Sequence, residues 1–455
     1  MIKKYCAVLA GFFIMIPLFG GGPYTLFPIA DYDQNIDHWI SPASPNYNTP
    51  LLTPLQQQWR MQQLYQHQFS PWQAAYIAPY LQPGVLTAIE QHALKMQSLS
   101  YNENMRPYPA NWIPAMQDNL NLSQFSGPLS DHQQNRAIAT TNLLARSLPS
   151  FAPHFANPDT VGQGYPFDNL QISAIWAGTP VYIVGISKDQ AFALVITPSF
   201  MGWVDRTGIA RASPQFIQSW QNAAKKQLIA ITQNNTPILN AQQQFLFSAY
   251  IGSSFPLASA RAHQYIVFVP TQNSRHQAQL SLAMLQQNQA VQMPLSATPH
   301  HFAEMISALQ GIPYGWGNMY FYDDCSSLLK NLYLPFGIWL PRHSSNQVEA
   351  GEMTDLSPLS PDARLSYLSQ NAAPFLSLVS LGSHVFMILG NLEDPRHPGE
   401  KVLLSFQTLW GLSPADNSSR AIIGQSVLLP ILTSYPEDPQ LMSLLTAPVF
   451  QMVNL

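Results

Sequence analysis

Charge is what this chain has least of. Only 10 % of its 455 residues are Asp, Glu, Lys or Arg, against a usual share of about 25 %. Twenty Lys+Arg stand against 24 Asp+Glu, for a net charge of −4. With no basic excess to meet phosphates, a nucleic-acid partner is not expected. Cysteine is nearly absent: Cys6 and Cys325 are the whole complement, and two thiols cannot build a multi-Cys zinc site. After the first residues no run of about 18 uncharged apolar residues occurs, so no further membrane span is expected. No P-loop or dinucleotide fingerprint is present, and neither a metal nor another cofactor is expected. Low charge does not mean disorder here. Apolar residues reach 46 % and aromatics 11 %, ample for packed cores. At roughly 100–200 residues per domain, the length predicts two to four domains. The 39 prolines argue for many turns and loops over long helices.

The N-terminus reads as an export signal. Lys3 and Lys4 precede an apolar run from Cys6 to Phe19, closed by Gly20–Gly22. A positive start, a short apolar stretch and a small-residue exit are the pattern of a secretory leader, here residues 1–22. A periplasmic or secreted location follows as an expectation, with an uncleaved anchor as the other reading. Cleavage would leave Cys325 as a lone thiol. Such a thiol reads either as a reactive group or as a small buried hydrophobe.

Four further segments are expected. Residues 23–150 read as an N-terminal helical segment. In it Thr53-Pro54 forms a start signal, and helical stretches are expected near 84–99 and 132–146. Residues 151–212 carry short strand signals around Pro180–Val184, Ala191–Ile196 and Gly202–Val204, as a small β-barrel would. Residues 213–299 repeat that character around Pro237–Leu239, Gln244–Phe247 and Tyr265–Val269. Residues 300–455 read as α+β. Leu328, Leu329, Leu332 and Phe336 suit a helix beginning near Cys325, and the strands His384–Leu389 and Val402–Gln407 come later.

Cys325 and His384 together carry chemistry. A thiol attacks as thiolate, and a helix N-terminus and an imidazole both favour that form. Cys on a helix with His on a strand is the papain-like arrangement. Gln407, on the next strand, could accept from the second ring nitrogen; it also reads as a surface amide in a Gln-rich chain. His300, His301 and Glu304 read as surface helix residues, not metal ligands.

The motifs Tyr314-Gly-Trp-Gly317, Asp324-Cys325-Ser326, Phe336–Ser345, Gly382–Gly390 and Gln407–Gly411 resemble the NlpC/P60 cysteine peptidases. The resemblance is to the subfamily with bacterial SH3 (SH3b) domains. Trp39–Pro42, Leu51–Pro54, Phe69–Trp72 and Asn142–Pro149 resemble its N-terminal stabilising domain. Pro166–Gln171, Trp176–Pro180 and Gly202–Val204 resemble its first SH3b domain. The match near 213–299 to a second SH3b domain is weaker. The implied architecture is a helical N-terminal segment, two SH3-like barrels and a C-terminal papain-like domain.

The resemblance implies a peptidoglycan or muropeptide partner and cleavage of the stem peptide at the γ-D-glutamyl–diamino acid bond. Cys325 would be the nucleophile, His384 the base and Gln407 the third member. Many relatives have His at that third position, and Gly is common where Asn318 stands. Tyr314, Asp324 and Ser326 would hold a free N-terminal L-alanine. Asp324 also fits as the cap of the Cys helix. Trp316 would form a pocket wall, and Asp168 is a further candidate substrate contact. The rivals are a catalytically weak or inactive peptidoglycan-binding protein on the same fold, and an acyltransferase using the same pair. The sequence is silent on oligomeric state.

Overall fold

The computed structural model describes residues 23–95 and 100–455. The leader expected at 1–22 lies outside the described residues. The helix expected over 84–99 is described as Val85–Lys95. Among the described residues, no helix is long and apolar enough to cross a membrane.

Three seven-stranded sheets organise the described residues. The first β-unit runs in the order 171–175, 143–146, 201–205, 192–196, 180–186, 136–139, 209–211. The second runs 245–249, 236–240, 278–286, 264–272, 254–261, 228–231, 290–292. Within each, the named strands pair antiparallel. Helix Pro214–Lys226 connects the two units and buries Phe216, Trp220 and Ala224, one apolar stripe at helical spacing.

The stretch expected as a helix at 132–146 is corrected. Arg136–Ala139 and Leu143–Arg146 are strands of the first β-unit. Ala137 and Ile138 pair with Val181 and Pro180, while Leu143 pairs with Ile175. The first sheet therefore draws its chain from before residue 151.

The third sheet belongs to the C-terminal part, in the order 24–26, 420–430, 401–412, 385–393, 377–380, 451–454, 352–355. Its edge strand comes from the other end of the chain: Tyr24–Leu26 pairs in parallel with Arg420–Ile422. Ile36, Trp39 and Ile40 follow it into the same core, beside Leu328, Leu329 and Leu332 of the Cys helix and Val385, Met387 and Phe406 of the sheet. Helix Pro54–Gln68 starts as its sequence predicts. Thr53 caps it, with a reciprocal bond from Gln56 and Pro54 in the first turn.

One buried carboxyl tunes stability. Glu90 is 2 % exposed and lies on helix Val85–Lys95 with Leu86 and Leu94, which pack against the first β-unit. Its Oε2 accepts from Trp203 Nε1 at 2.9 Å. Burial pushes its pKa up to about 7, partly offset by that bond. The folded protein thus keeps a proton that the unfolded chain releases, and stability falls as pH rises from about 4.5 to about 7. The loss is on the order of 3 kcal/mol at about 1.4 kcal/mol per unit. Glu90→Gln keeps an acceptor for Trp203 and removes the titration. Thermal unfolding at pH 5 and pH 8 should show a smaller drop in the variant. An equal drop would absolve Glu90.

Candidate active site

Cys325 opens helix Cys325–Tyr333, and Asp324 caps it. The Asp324 side chain accepts from Ser327 N–H, and Ser327 Oγ accepts from Asp324 N–H. Both readings of Asp324 therefore bear on one residue: it is the cap, and it lines the cleft. That cleft holds roughly 600 Å³ and is lined by Tyr314, Trp316, Asp324, Cys325, Ser326 and His384 among others.

His384 stands just before strand Val385–Glu393. The strand that follows His384 and the Cys325 helix share one core, with Val385 and Met387 beside Leu328 and Leu329. Gln407 lies on the adjacent strand and is fully buried. Its Nε2 donates to Ser405 Oγ at 2.9 Å, and Ser405 Oγ donates to the Leu429 carbonyl at 2.7 Å. That chain fixes the amide so that Oε1 faces His384 Nε2, 2.7 Å away. Gln407 is thus no surface amide. His384 carries its proton on Nε2, and Nδ1 is left as the ring's free acceptor.

Burial sets the resting charges. It pushes the Cys325 thiol up to about 12, with the Asp324 carboxylate adding to the rise and the Val385 N–H opposing it. It also pushes His384 below the usual imidazole range, partly offset by the Gln407 bond. The resting pair is a neutral thiol and a neutral imidazole. Removing Gln407's acceptor leaves a buried N–H unpaired, at about 1–3 kcal/mol. Gln407→Leu should lower kcat by roughly five- to 150-fold with little change in KM. Its acid limb should shift to lower pH, because the bond that raises the His384 pKa is gone. An unchanged pH profile would remove Gln407 from the site.

Arg342 is the residue that sequence reasoning did not single out. Its guanidinium grips Asp324 with two parallel bonds, Nη2–Oδ2 at 2.6 Å and Nη1–Oδ1 at 3.0 Å. Nη1 also donates to Ser326 Oγ at 2.8 Å, and Nε to Ser173 Oγ on the first β-unit at 2.7 Å. Burial pushes the Asp324 carboxyl up, but the Arg342 charge and its bonds outweigh this and hold it below the usual carboxylate range.

The first β-unit supplies one wall. Phe167 meets the edge or face of Tyr314, Trp316 and Trp410 with ring centroids 5.3–6.4 Å apart. Gln171 Nε2 donates to the Gly317 carbonyl at 2.8 Å, and Ser173 Oγ to Asn318 Oδ1 at 3.3 Å. Gly317 has φ +57°, and a Cβ there would meet the Gln171 carbonyl oxygen at 2.7 Å. Asn318 sits in the left-handed region at φ 61°, which Asn tolerates better than most residues. Its amide donates to Asp323 Oδ1, so the departure from Gly is accommodated.

Asp168 requires a correction. It is 2 % exposed and does not line the cleft. Its Oδ2 pairs with Arg146 at 2.5 Å, while Oδ1 accepts from the backbone N–H of His154 and Leu170. The carboxylate holds the first β-unit together, and its neighbour Phe167 is the residue that faces the site. His300, His301 and Glu304 form no metal cluster; no such group occurs among the described residues.

Comparison with known proteins matches this architecture. A family model described as SH3 domain (SH3b1 type) matches residues 153–205, and one described as SH3 domain of SH3b2 type matches residues 213–262. A solved NlpC/P60 endopeptidase from Photobacterium damselae subsp. piscicida is 26 % identical, with a TM-score of 0.79. The match covers 95 % of this chain and 98 % of that one. An NlpC/P60 family protein from Bacillus cereus ATCC 10987 matches more loosely, at 16 % identity and a TM-score of 0.43, over 68 % of this chain and 98 % of that one. No curated protein matches the sequence. The chain is an NlpC/P60 family protein that carries two bacterial SH3 domains.

Proposed function

We propose that this protein is a cysteine endopeptidase that cuts peptidoglycan stem peptides at the γ-D-glutamyl–diamino acid bond. The observation that carries the reading is the bond between His384, at the start of its strand, and the buried Gln407 on the next strand, in a sheet that packs against the Cys325 helix. In the proposed reaction His384 Nδ1 takes the thiol proton as sulfur attacks the scissile carbonyl carbon. The backbone N–H at the helix start stabilises the oxyanion. His384 then returns the proton to the leaving amine, and a thioester remains. Water, deprotonated by His384, attacks the thioester and frees the acid and the thiol.

Asp324, Ser326 and Tyr314 are proposed to receive the free amine of an N-terminal L-alanine. A carboxylate kept ionised by Arg342 suits a cation, and the aromatic wall of Phe167, Trp316 and Trp410 bounds the space beside it. Export through residues 1–22 belongs to the same proposal.

Mass spectrometry of defined muropeptides tests it. Substrates with a free N-terminal L-Ala should yield a cut after γ-D-Glu. Acetylating that amine should lower kcat/KM by at least about tenfold, the loss of one charged contact of about 1.5–3 kcal/mol. Equal cleavage of both substrates would sink the amine-binding role of Asp324. Absence of any cut by folded protein that binds muropeptide would favour a binding protein on the same fold.

A further inference from the structure

A groove of about 500 Å³ stands beside the catalytic cleft and shares no lining residue with it. It begins with a spacing in the sequence. Trp59, Gln63 and His67 recur every four residues along helix Pro54–Gln68 and so share one face, while Leu64 packs into the core. At 1.5 Å per residue that row is about 12 Å long. All three side chains line the groove, together with Tyr76, Tyr80 and, from the catalytic part, Trp339 and Asn346. The volume falls within the roughly 300–1,000 Å³ typical of ligand sites.

Most of the rings are held in place. His67 stacks on Trp339 with centroids 5.0 Å apart and planes 5° from parallel. Burial pushes His67 below the usual imidazole range, so this pair is uncharged at neutral pH. Tyr76 donates its hydroxyl to the Thr197 carbonyl at 2.9 Å, and its ring lies 6.2 Å from that of Tyr80. Trp59 differs. It is 51 % exposed although it lines a concavity, and the Arg60 guanidinium stands 5.0 Å from its ring centroid. Arg60 is fixed in turn by donating to the Ala350 carbonyl at 3.2 Å. The indole is thus a stacking surface that the fold itself leaves half uncovered.

Charge and polarity narrow the ligand. The lining holds one guanidinium, Arg60, and one carboxylate, Glu349, so it favours neither a polyanion nor a polycation. Aromatic rings interleaved with the Gln63 and Asn346 amides suit a molecule that is apolar on its faces and hydrogen-bonding at its edges. A pyranose is such a molecule. Its C–H face meets the negative face of an aromatic ring, and its hydroxyl and acetamido groups meet the amides. An apolar peptide helix would instead leave those amides desolvated without partners. The groove also adjoins the cleft. In the stretch 339–350, Trp339 and Pro341 line the groove, Arg342 to Ser345 line the cleft, and Asn346 and Glu349 return to the groove.

We propose that this groove binds the glycan of the cell wall, a β-1,4-linked chain of N-acetylhexosamines, with Trp59 as its stacking platform. The ligand class rests on the peptidoglycan reading above. A stem whose amine has been freed from its own strand stays cross-linked to a neighbour that keeps its sugars. Glycan in the groove and a free amine in the cleft are therefore compatible, and the shared stretch 339–350 sets them side by side.

The test is calorimetric titration of the full chain with the β-1,4-linked tetramer of N-acetylglucosamine, which carries no peptide. Wild type should bind it with a Kd of about 1 mM or tighter. Trp59→Ala should weaken binding roughly tenfold, as loss of an aromatic anchor does, and Trp59→Phe, which keeps a ring, should stay within about threefold. Trp59→Ala should still cut the soluble tripeptide L-Ala-γ-D-Glu-diaminopimelate at the wild-type rate. Equal affinities of wild type and Trp59→Ala would overturn the proposal, as would no binding by the wild type. Equal binding of maltotetraose, which lacks acetamido groups, would overturn the assignment to an N-acetylated glycan. A half-exposed helix position tolerates Ala; should Trp59→Ala nonetheless fail to fold, Asn346→Ala, on another element of the lining, repeats the test. The titration needs no cleavage, so its failure and a failure of the peptidase reading are told apart.

Discussion

Cys325→Ala is expected to lower muropeptide cleavage by at least about 10⁴-fold, the scale on which removing a nucleophile acts in such catalytic sets. The fold should survive. Cys325 is only partly buried and stands first in its helix, where Ala is well tolerated. The Asp324–Arg342 pair stays in place, so binding should stay within a few-fold of wild type by calorimetry. Loss of cleavage with binding kept is the signature expected of the nucleophile. Comparable cleavage by both proteins would show that the thiol is not the attacking group.

Arg342→Ala should be the most damaging substitution for stability and also strongly affect activity. It strips a buried carboxylate of its only guanidinium partner among the described residues. Breaking one side of a buried pair costs about 3–5 kcal/mol. The same change loosens Ser326 and cuts the tie to Ser173, so kcat/KM should fall by about a hundredfold or more through lost positioning. Without the cation, the Asp324 pKa rises, and residual activity should acquire a steeper acid limb. Arg342→Lys keeps the charge but not the fork, so it should recover more stability than activity. Urea unfolding with kinetics in parallel checks both. A change in unfolding free energy below about 1 kcal/mol for Arg342→Ala would refute the account.

The site's centre was legible because it is built from local patterns. The apolar spacing of Leu328, Leu329 and Leu332 marks the Cys helix, and Asp324 marks its start. The short β-rich runs around His384 and Gln407 mark their strands. What could not be read depends on distant partners. Arg136-Ala-Ile-Ala139 is too short for its period to tell helix from strand; its pairing with Pro180–Tyr182 decides. Asp168 is taken up by Arg146, a partner 22 residues away that no local pattern links to it. Arg342 and Phe167 matter only once the first β-unit lies against the catalytic part, and no window of sequence contains that contact. The polarity signal that could have flagged Arg342 is its place two residues after Leu340, in a chain where charge is scarce.

The edge strand Tyr24–Leu26 has a consequence for how the molecule is made. Its partner, Arg420–Ile422, emerges from the ribosome almost a whole chain later. Closing a loop of that length costs only about 5 kcal/mol by the logarithmic scaling of loop entropy, so the pairing is affordable once both ends exist. Until then the leading residues have nothing to pair with. The last sheet is therefore completed only once residues 420–454 are available, and the two β-units between can fold first, each as its strands appear. A ribosome stalled before residue 420 should display both β-units protected from protease and Tyr24–Leu26 open to it.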